Sequence, residues 1–276
     1  MERTTRVGGF PITTGGSGPD TLFVHGGPGL NDYLAPVSSL LADLIRSHRY
    51  TMRGNAPSPP DGPFTVAQHV EDAVGILDGL HLDHAILLGH SWGGFVAAAV
   101  AVAHPDRARA MILVDATGLT RNGGIDEFFA HFDNSYSAED ASRVAELARI
   151  DTERGLTAEE QDEWQQIDWR YYHADPTNPP PYLKRETCSA AASEGLRDTR
   201  GPLAEDFFRP LEHAPIPTLV LSGAKGPFPP WVFEDMVALI PGAVAAVIPD
   251  AGHFPWYEQP DAMKTAIESF LATLAD

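Results

Sequence analysis

The stretch Gly89-His90-Ser91-Trp92-Gly93-Gly94 constrains this chain most, because it contains the pattern G-x-S-x-G. Ala85-Ile86-Leu87-Leu88 precedes it, a continuous apolar run of strand length. Phe95 to His104 follows, an alanine-rich run that reads as a buried helix. Strand, serine, helix is the order in which the pattern has mechanical meaning. A turn this sharp leaves no room for side chains on its flanks, and Gly89 and Gly93 supply that room because they lack a Cβ. The serine oxygen is pushed out at the end of the strand, above the helix N-terminus. Ser91 is therefore the expected nucleophile.

Strands and helices alternate on both sides of this motif. Residues 4–14 read as an edge strand or hairpin, and Thr21-Leu22-Phe23-Val24 as a buried strand ending at His25-Gly26-Gly27-Pro28-Gly29. Leu34 to Ile45 has apolar residues at helical spacing, and Tyr50-Thr51-Met52 reads as a short strand before the Arg53-Gly54 turn. A proline-rich loop over 56–63 leads to an amphipathic helix from Val66 to Leu80, with Thr65 as its cap. Ala110 to Val114 is a further buried strand, ending at Asp115. This alternation predicts an α/β fold, a mostly parallel sheet with helices on both faces. Strands that are apolar throughout agree with it.

The character changes after Gly118. Helical stretches at 125–132, 138–150, 158–172 and 182–196 replace the alternation, and the sheet pattern resumes only at 217–221 and 243–248, before a last helix over 261–274. The expected organisation is a core of 1–117 and 213–276 with a helical cap over 118–212.

Charge narrows the partners. With 19 Lys and Arg against 38 Asp and Glu, the formal charge is −19, which disfavours nucleic acid and anionic membranes and leaves a small-molecule substrate as the expectation. The one cysteine, Cys188, cannot form an internal disulfide. The first residues lead into no long apolar run, so neither a signal peptide nor a membrane span is expected, and the cytoplasm is the default. The histidines show no H-E-x-x-H spacing and no G-x-G-x-x-G follows a strand, so neither a metal nor a cofactor is expected.

Three motifs in order, His25-Gly26-Gly27-Pro28-Gly29, Gly89-His90-Ser91-Trp92-Gly93-Gly94 and Gly252-His253-Phe254-Pro255-Trp256, make the chain resemble the α/β-hydrolase superfamily with a helical cap inserted after the sixth strand. The H-G-G-P-G form is similar to that of the proline iminopeptidase branch and its relatives. The resemblance implies that His253 is the catalytic base and that the N–H groups of Gly27 and Trp92 form an oxyanion hole. His25 is read as bracing its turn.

The sequence departs from the family pattern at the third catalytic position. The acid expected after the seventh strand falls on Gly226. In one reading the acid has moved to the end of the sixth strand, as in the pancreatic lipases, and Asp115 supplies it, 24 residues after Ser91. In the other the triad is broken. Thr51 is a second departure, since relatives with the same glycine motif carry aspartate there; Arg53 beside it is read as a local structural group. Phe228 and Trp256 lie next to motif residues and are the expected walls of a substrate pocket. A serine nucleophile implies an acyl-enzyme, so hydrolysis of a small carboxylic ester, lactone or related acyl compound is the first expectation. An aminopeptidase and a carbon–carbon bond hydrolase are the alternatives within the class, and a non-catalytic ligand-binding protein the alternative outside it.

Overall fold

The computed structural model describes residues 2–200, 206–214 and 216–274; residues 201–205 of the expected cap lie outside them. Strand β1 (Arg3–Val7) folds back on β2 (Phe10–Gly16), and β2 runs antiparallel to β4 (Arg46–Arg49). From there the sheet is parallel through β3 (Asp20–Val24), β5 (Ala85–His90), β6 (Ala108–Val114), β7 (Thr218–Gly223) and β8 (Val244–Ile248). The order across the sheet is β1-β2-β4-β3-β5-β6-β7-β8.

Every residue of β5 is buried, as a central strand covered on both faces must be. One face packs against α2 (Val66–Gly79), α3 (Trp92–Ala103) and α8 (Pro230–Leu239) through Val70, Leu77, Phe95, Val96, Val232 and Met236. The other packs against α1 (Ala35–Leu40) and the last helix, α10 (Pro260–Thr273), which follows the short α9 (Pro255–Glu258), through Val37, Leu41, Met263, Ile267 and Phe270. Thr65 caps α2, its hydroxyl accepting the Gln68 N–H at 3.2 Å.

Between β6 and β7 the chain carries α4 (Ile125–Ser135), α5 (Ala138–Arg154), α6 (Ala158–Tyr171) and α7 (Ser189–Arg200). The first three share a small apolar cluster of Phe128, Phe132, Val144, Leu147, Ile167 and Tyr171. Helix α7 is fastened to the sheet side. Glu194 accepts the Phe64 N–H and Asp198 the Val66 N–H, both at 2.9 Å, and the Trp92 indole donates to the Thr199 hydroxyl at 2.9 Å. The insertion is thereby held over the C-terminal ends of the strands. Among the described residues, no helix is long and apolar enough to cross a membrane.

Several elements depart from the sequence expectation. The strand expected at Tyr50–Met52 lies earlier, at Arg46–Arg49, in residues whose polarity hides it. Each buried polar side chain there has a specific partner: Ser47 pairs with Ser38 at 2.6 Å, His48 with Asp20 at 2.8 Å, and Arg49 with Asp32. Such pairing lets a polar strand be buried and defeats an argument from hydrophobic pattern. The helix expected over 34–45 closes after Leu40, and that expected over 182–196 begins only at Ser189. Helix α8 lies in a stretch with no sequence expectation.

Candidate active site

Ser91 sits between β5 and α3 with φ +55° and ψ −129°, a conformation most residues avoid and one that costs about 1–3 kcal/mol. The surroundings enforce it. The Ser91 N–H donates to the Val114 carbonyl at 3.1 Å, and its own carbonyl accepts from Gly94 at 2.9 Å and Thr117 at 3.0 Å. A Cβ on Gly93 would stand 2.1 Å from the Val24 carbonyl oxygen and 2.3 Å from that of His25. The turn can therefore press against β3 only because that position is glycine.

His253 follows β8 and is 2% exposed. Its N–H donates to the Tyr172 carbonyl at 2.7 Å, and its Nδ1 is hydrogen-bonded to the carboxylate of Asp115. The other Asp115 oxygen accepts from the Ser222 hydroxyl at 2.7 Å. Asp115 is itself buried at the end of β6, where its N–H donates to the Leu221 carbonyl at 2.7 Å and its φ is +40°. A carboxylate only accepts, so Nδ1 carries the imidazole proton and Nε2 is the ring nitrogen left to take another. Gly226 lies against this pair: a Cβ there would be 3.2 and 3.4 Å from the two Asp115 oxygens. The seat where the family pattern expects an acid thus adjoins the carboxylate that arrives from β6.

A second buried network ties the glycine motif to the histidine loop. The Tyr33 hydroxyl accepts the Gly26 N–H at 2.8 Å and lies 2.6 Å from His90 Nδ1, and His90 Nε2 donates to the His253 carbonyl at 2.8 Å. For a neutral imidazole only one set of proton positions satisfies all three bonds: Nε2 of His90 is protonated, and the Tyr33 hydroxyl donates to Nδ1. Burial, reinforced by the neighbouring His253, holds His90 well below the ordinary histidine range, in keeping with this neutral form. His25 braces the next turn. Its Nε2 accepts the Met52 N–H at 2.9 Å, its Nδ1 donates to the Gly26 carbonyl at 2.7 Å, and burial lowers its pKa. Arg53 is a local structural group, paired with Asp72 at 2.5 Å.

Gly27, Ser91 and His253 line one cavity of about 220 Å³, closed from the insertion by Phe128, Asp168, Tyr172 and Arg185. Trp92 opens α3, so its N–H has no partner within the helix, while its side chain is buried. Of the two residues expected as pocket walls, one lies elsewhere. Trp256 is buried in the core behind His90, 4.7 Å between ring centroids, because α9 turns it toward the sheet rather than the cavity. Phe228 packs on Phe128, its ring centre lies 5.8 Å from that of His253, and it also borders a second hollow of about 300 Å³ lined in part by Asp115. Phe128, Asp168, Tyr172 and Arg185, which share the cavity with Ser91, carry no sequence signal for that role, because their spacing resembles ordinary helix core or surface. His90 was legible only as a neighbour of Ser91.

This fold is that of an α/β-hydrolase. Residues 21–266 match the model of the alpha/beta hydrolase family, and the chain belongs to that family. A 2-hydroxymuconate semialdehyde hydrolase of Pseudomonas sp. (strain CF600) is 32% identical over 111 residues, 38% of this chain and 39% of that protein, so the match spans about two fifths of the relative's length. Esterase YbfF of Escherichia coli (strain K12) is 26% identical over 259 residues, 91% of this chain and 92% of the esterase. Among solved structures, an alpha/beta fold family hydrolase from Bacillus anthracis str. Sterne superposes with a TM-score of 0.71 at 16% identity, covering 99% of both chains.

Proposed function

We propose that this hydrolase acts on a small carboxylic ester, lactone or related acyl compound through an acyl-enzyme on Ser91, with His253 as base and Asp115 as the third member of the triad. The observation that carries the proposal is the His253 Nδ1 bond to the buried Asp115, with Ser91 and His253 on one cavity wall. Nε2 takes the serine proton as Oγ attacks the carbonyl carbon, and the carbonyl oxygen becomes an oxyanion facing the N–H groups of Gly27 and Trp92. The C–O bond to the leaving alcohol then breaks, and the imidazolium returns its proton to that oxygen. Water adds to the acyl-enzyme in the same way, with His253 again as base, releasing the acid and free Ser91. The similarity to esterase YbfF over nearly the whole chain supports this reading.

A second reading, cleavage of a carbon–carbon bond beside a ketone, is favoured by the partial similarity to 2-hydroxymuconate semialdehyde hydrolase. The test is labelling by a fluorophosphonate together with turnover of p-nitrophenyl butyrate. We expect the native protein to be labelled and Ser91→Ala not to be. A folded native protein that takes no label and turns over no ester refutes the acyl-enzyme.

A further inference from the structure

Arg185 is the feature of the cavity that the hydrolytic machinery does not use. It lies in the insertion between α6 and α7, lines the cavity that holds Ser91, and is only 8% exposed. Its guanidinium sits 5.3 Å from the ring centre of Tyr172 and 5.6 Å from that of Trp169, a cation held between aromatic walls. Its Nε is buried without a hydrogen-bond partner. Among the described residues, no carboxylate comes within ion-pair distance of it; the Tyr172 hydroxyl and, from further off, the charge of Asp168 act on it. The acid nearest in role, Asp168, lines the same cavity but accepts the Tyr136 hydroxyl at 2.5 Å instead.

A buried cation without a directly paired carboxylate is costly, and arginine cannot escape by losing its proton. Other arginines are paired directly: Arg49 and Arg53, both largely buried, and the more exposed Arg143, Arg154 and Arg170 each meet a carboxylate. In a chain of net charge −19 an unpaired buried arginine is no part of a basic surface. Aromatic contacts alone do not satisfy five N–H donors, whose planar fork matches a carboxylate.

We propose that Arg185 is the subsite for a carboxylate carried by the substrate, so that the physiological substrate is an acyl compound bearing an anionic carboxylate away from the scissile carbonyl. This rests on the acyl-enzyme reading above. The carboxylate docks on the guanidinium at the roof of the cavity, and the carbonyl to be attacked lies at its floor, beside Ser91 and the N–H groups of Gly27 and Trp92. The insertion thereby selects substrate and the sheet side does chemistry.

The experiment compares kcat/KM for mono-p-nitrophenyl glutarate and p-nitrophenyl butyrate, which share a leaving group and differ in a terminal carboxylate. We expect the native enzyme to prefer the glutarate ester by about tenfold or more, Arg185→Met to lose the preference, and Arg185→Lys, which keeps the charge without the fork, to fall between. Glutarate should also slow fluorophosphonate labelling of Ser91 in the native enzyme. Labelling and turnover with no preference and no protection by glutarate overturn the carboxylate subsite and leave the serine hydrolase standing. No labelling at all overturns the acyl-enzyme and this proposal with it. Both native measurements decide the matter even where Arg185→Met fails to fold.

Discussion

Replacing Asp115 by asparagine asks whether the acid has moved from its family position to β6. The change keeps shape and suits the backbone, since asparagine tolerates the positive φ of +40° found there. It removes the charge facing His253 Nδ1 and allows an N–H to point at that nitrogen, which favours the tautomer with Nε2 protonated and unable to accept the serine proton. The loss in kcat for such a tautomer error is about 10⁴-fold, equivalent to about 5 kcal/mol of transition-state stabilisation. The structure also supplies the complement. A Cβ built on Gly226 lies 3.6 Å from the Asp115 Cγ, so a carboxylate extended from 226 enters the volume that the 115 carboxylate occupies. Asp115→Gly, which suits a positive φ and empties that volume, combined with Gly226→Asp should recover about 100-fold or more of the activity lost in Asp115→Gly alone. Gly226→Asp alone sets two carboxylates side by side and should raise the apparent pKa of the pair. The assay is the initial rate of p-nitrophenyl butyrate hydrolysis against pH, with circular dichroism to confirm folding. Near-normal turnover in Asp115→Asn removes Asp115 from the triad; a folded double variant no faster than Asp115→Gly shows that position 226 is not an acid seat.

Other consequences are open to measurement. Gly93→Ala would force a Cβ within 2.3 Å of two backbone oxygens and should destabilise the fold by roughly 3 kcal/mol or more, read as a lowered urea midpoint or loss of soluble protein. Tyr33→Phe strands the Gly26 N–H and His90 Nδ1 in a buried site, at about 1–3 kcal/mol of stability, and should lower kcat more than it raises KM because both loops it joins carry reacting groups; an unchanged kcat refutes that role. Burial lowers His69 to about 4 from 6.5, so its contribution to stability is present above pH 6.5 and is lost as pH falls toward 4, by about 3 kcal/mol in all. His69→Phe should flatten this slope of unfolding free energy. Asp168 has the opposite sign: burial raises it to about 6 from 3.8, so its contribution is present below pH 3.8 and lost as pH rises through 6, about 1–2 kcal/mol after allowance for solvent screening, and Asp168→Asn should remove that slope.

The sequence carried the α/β architecture because continuous apolar strands and periodic helices record a sheet covered on both sides, and it carried Ser91 because the elbow needs glycine at fixed offsets. It misplaced β4, since Ser47, His48 and Arg49 are buried by pairing with Ser38, Asp20 and Asp32 on other elements, which no hydrophobic pattern records. It offered Trp256 as a pocket wall on adjacency to His253, and adjacency says nothing of which way a helix turns a side chain.

Asp115 and Gly226 mark the boundary between the two kinds of information. From the chain alone came the observation that a glycine stands where a carboxylate is expected and that an aspartate ends the preceding strand. Only the folded molecule brings β6, β7 and the loop after β8 together, so that the Asp115 carboxylate meets His253 and the space beside Gly226 is already taken. The same holds for Arg185, an unremarked surface-type residue in sequence and a buried cation in the fold. Local pattern reports which face of an element is apolar; the meeting of groups more than a hundred residues apart is decided by packing, which no local pattern encodes.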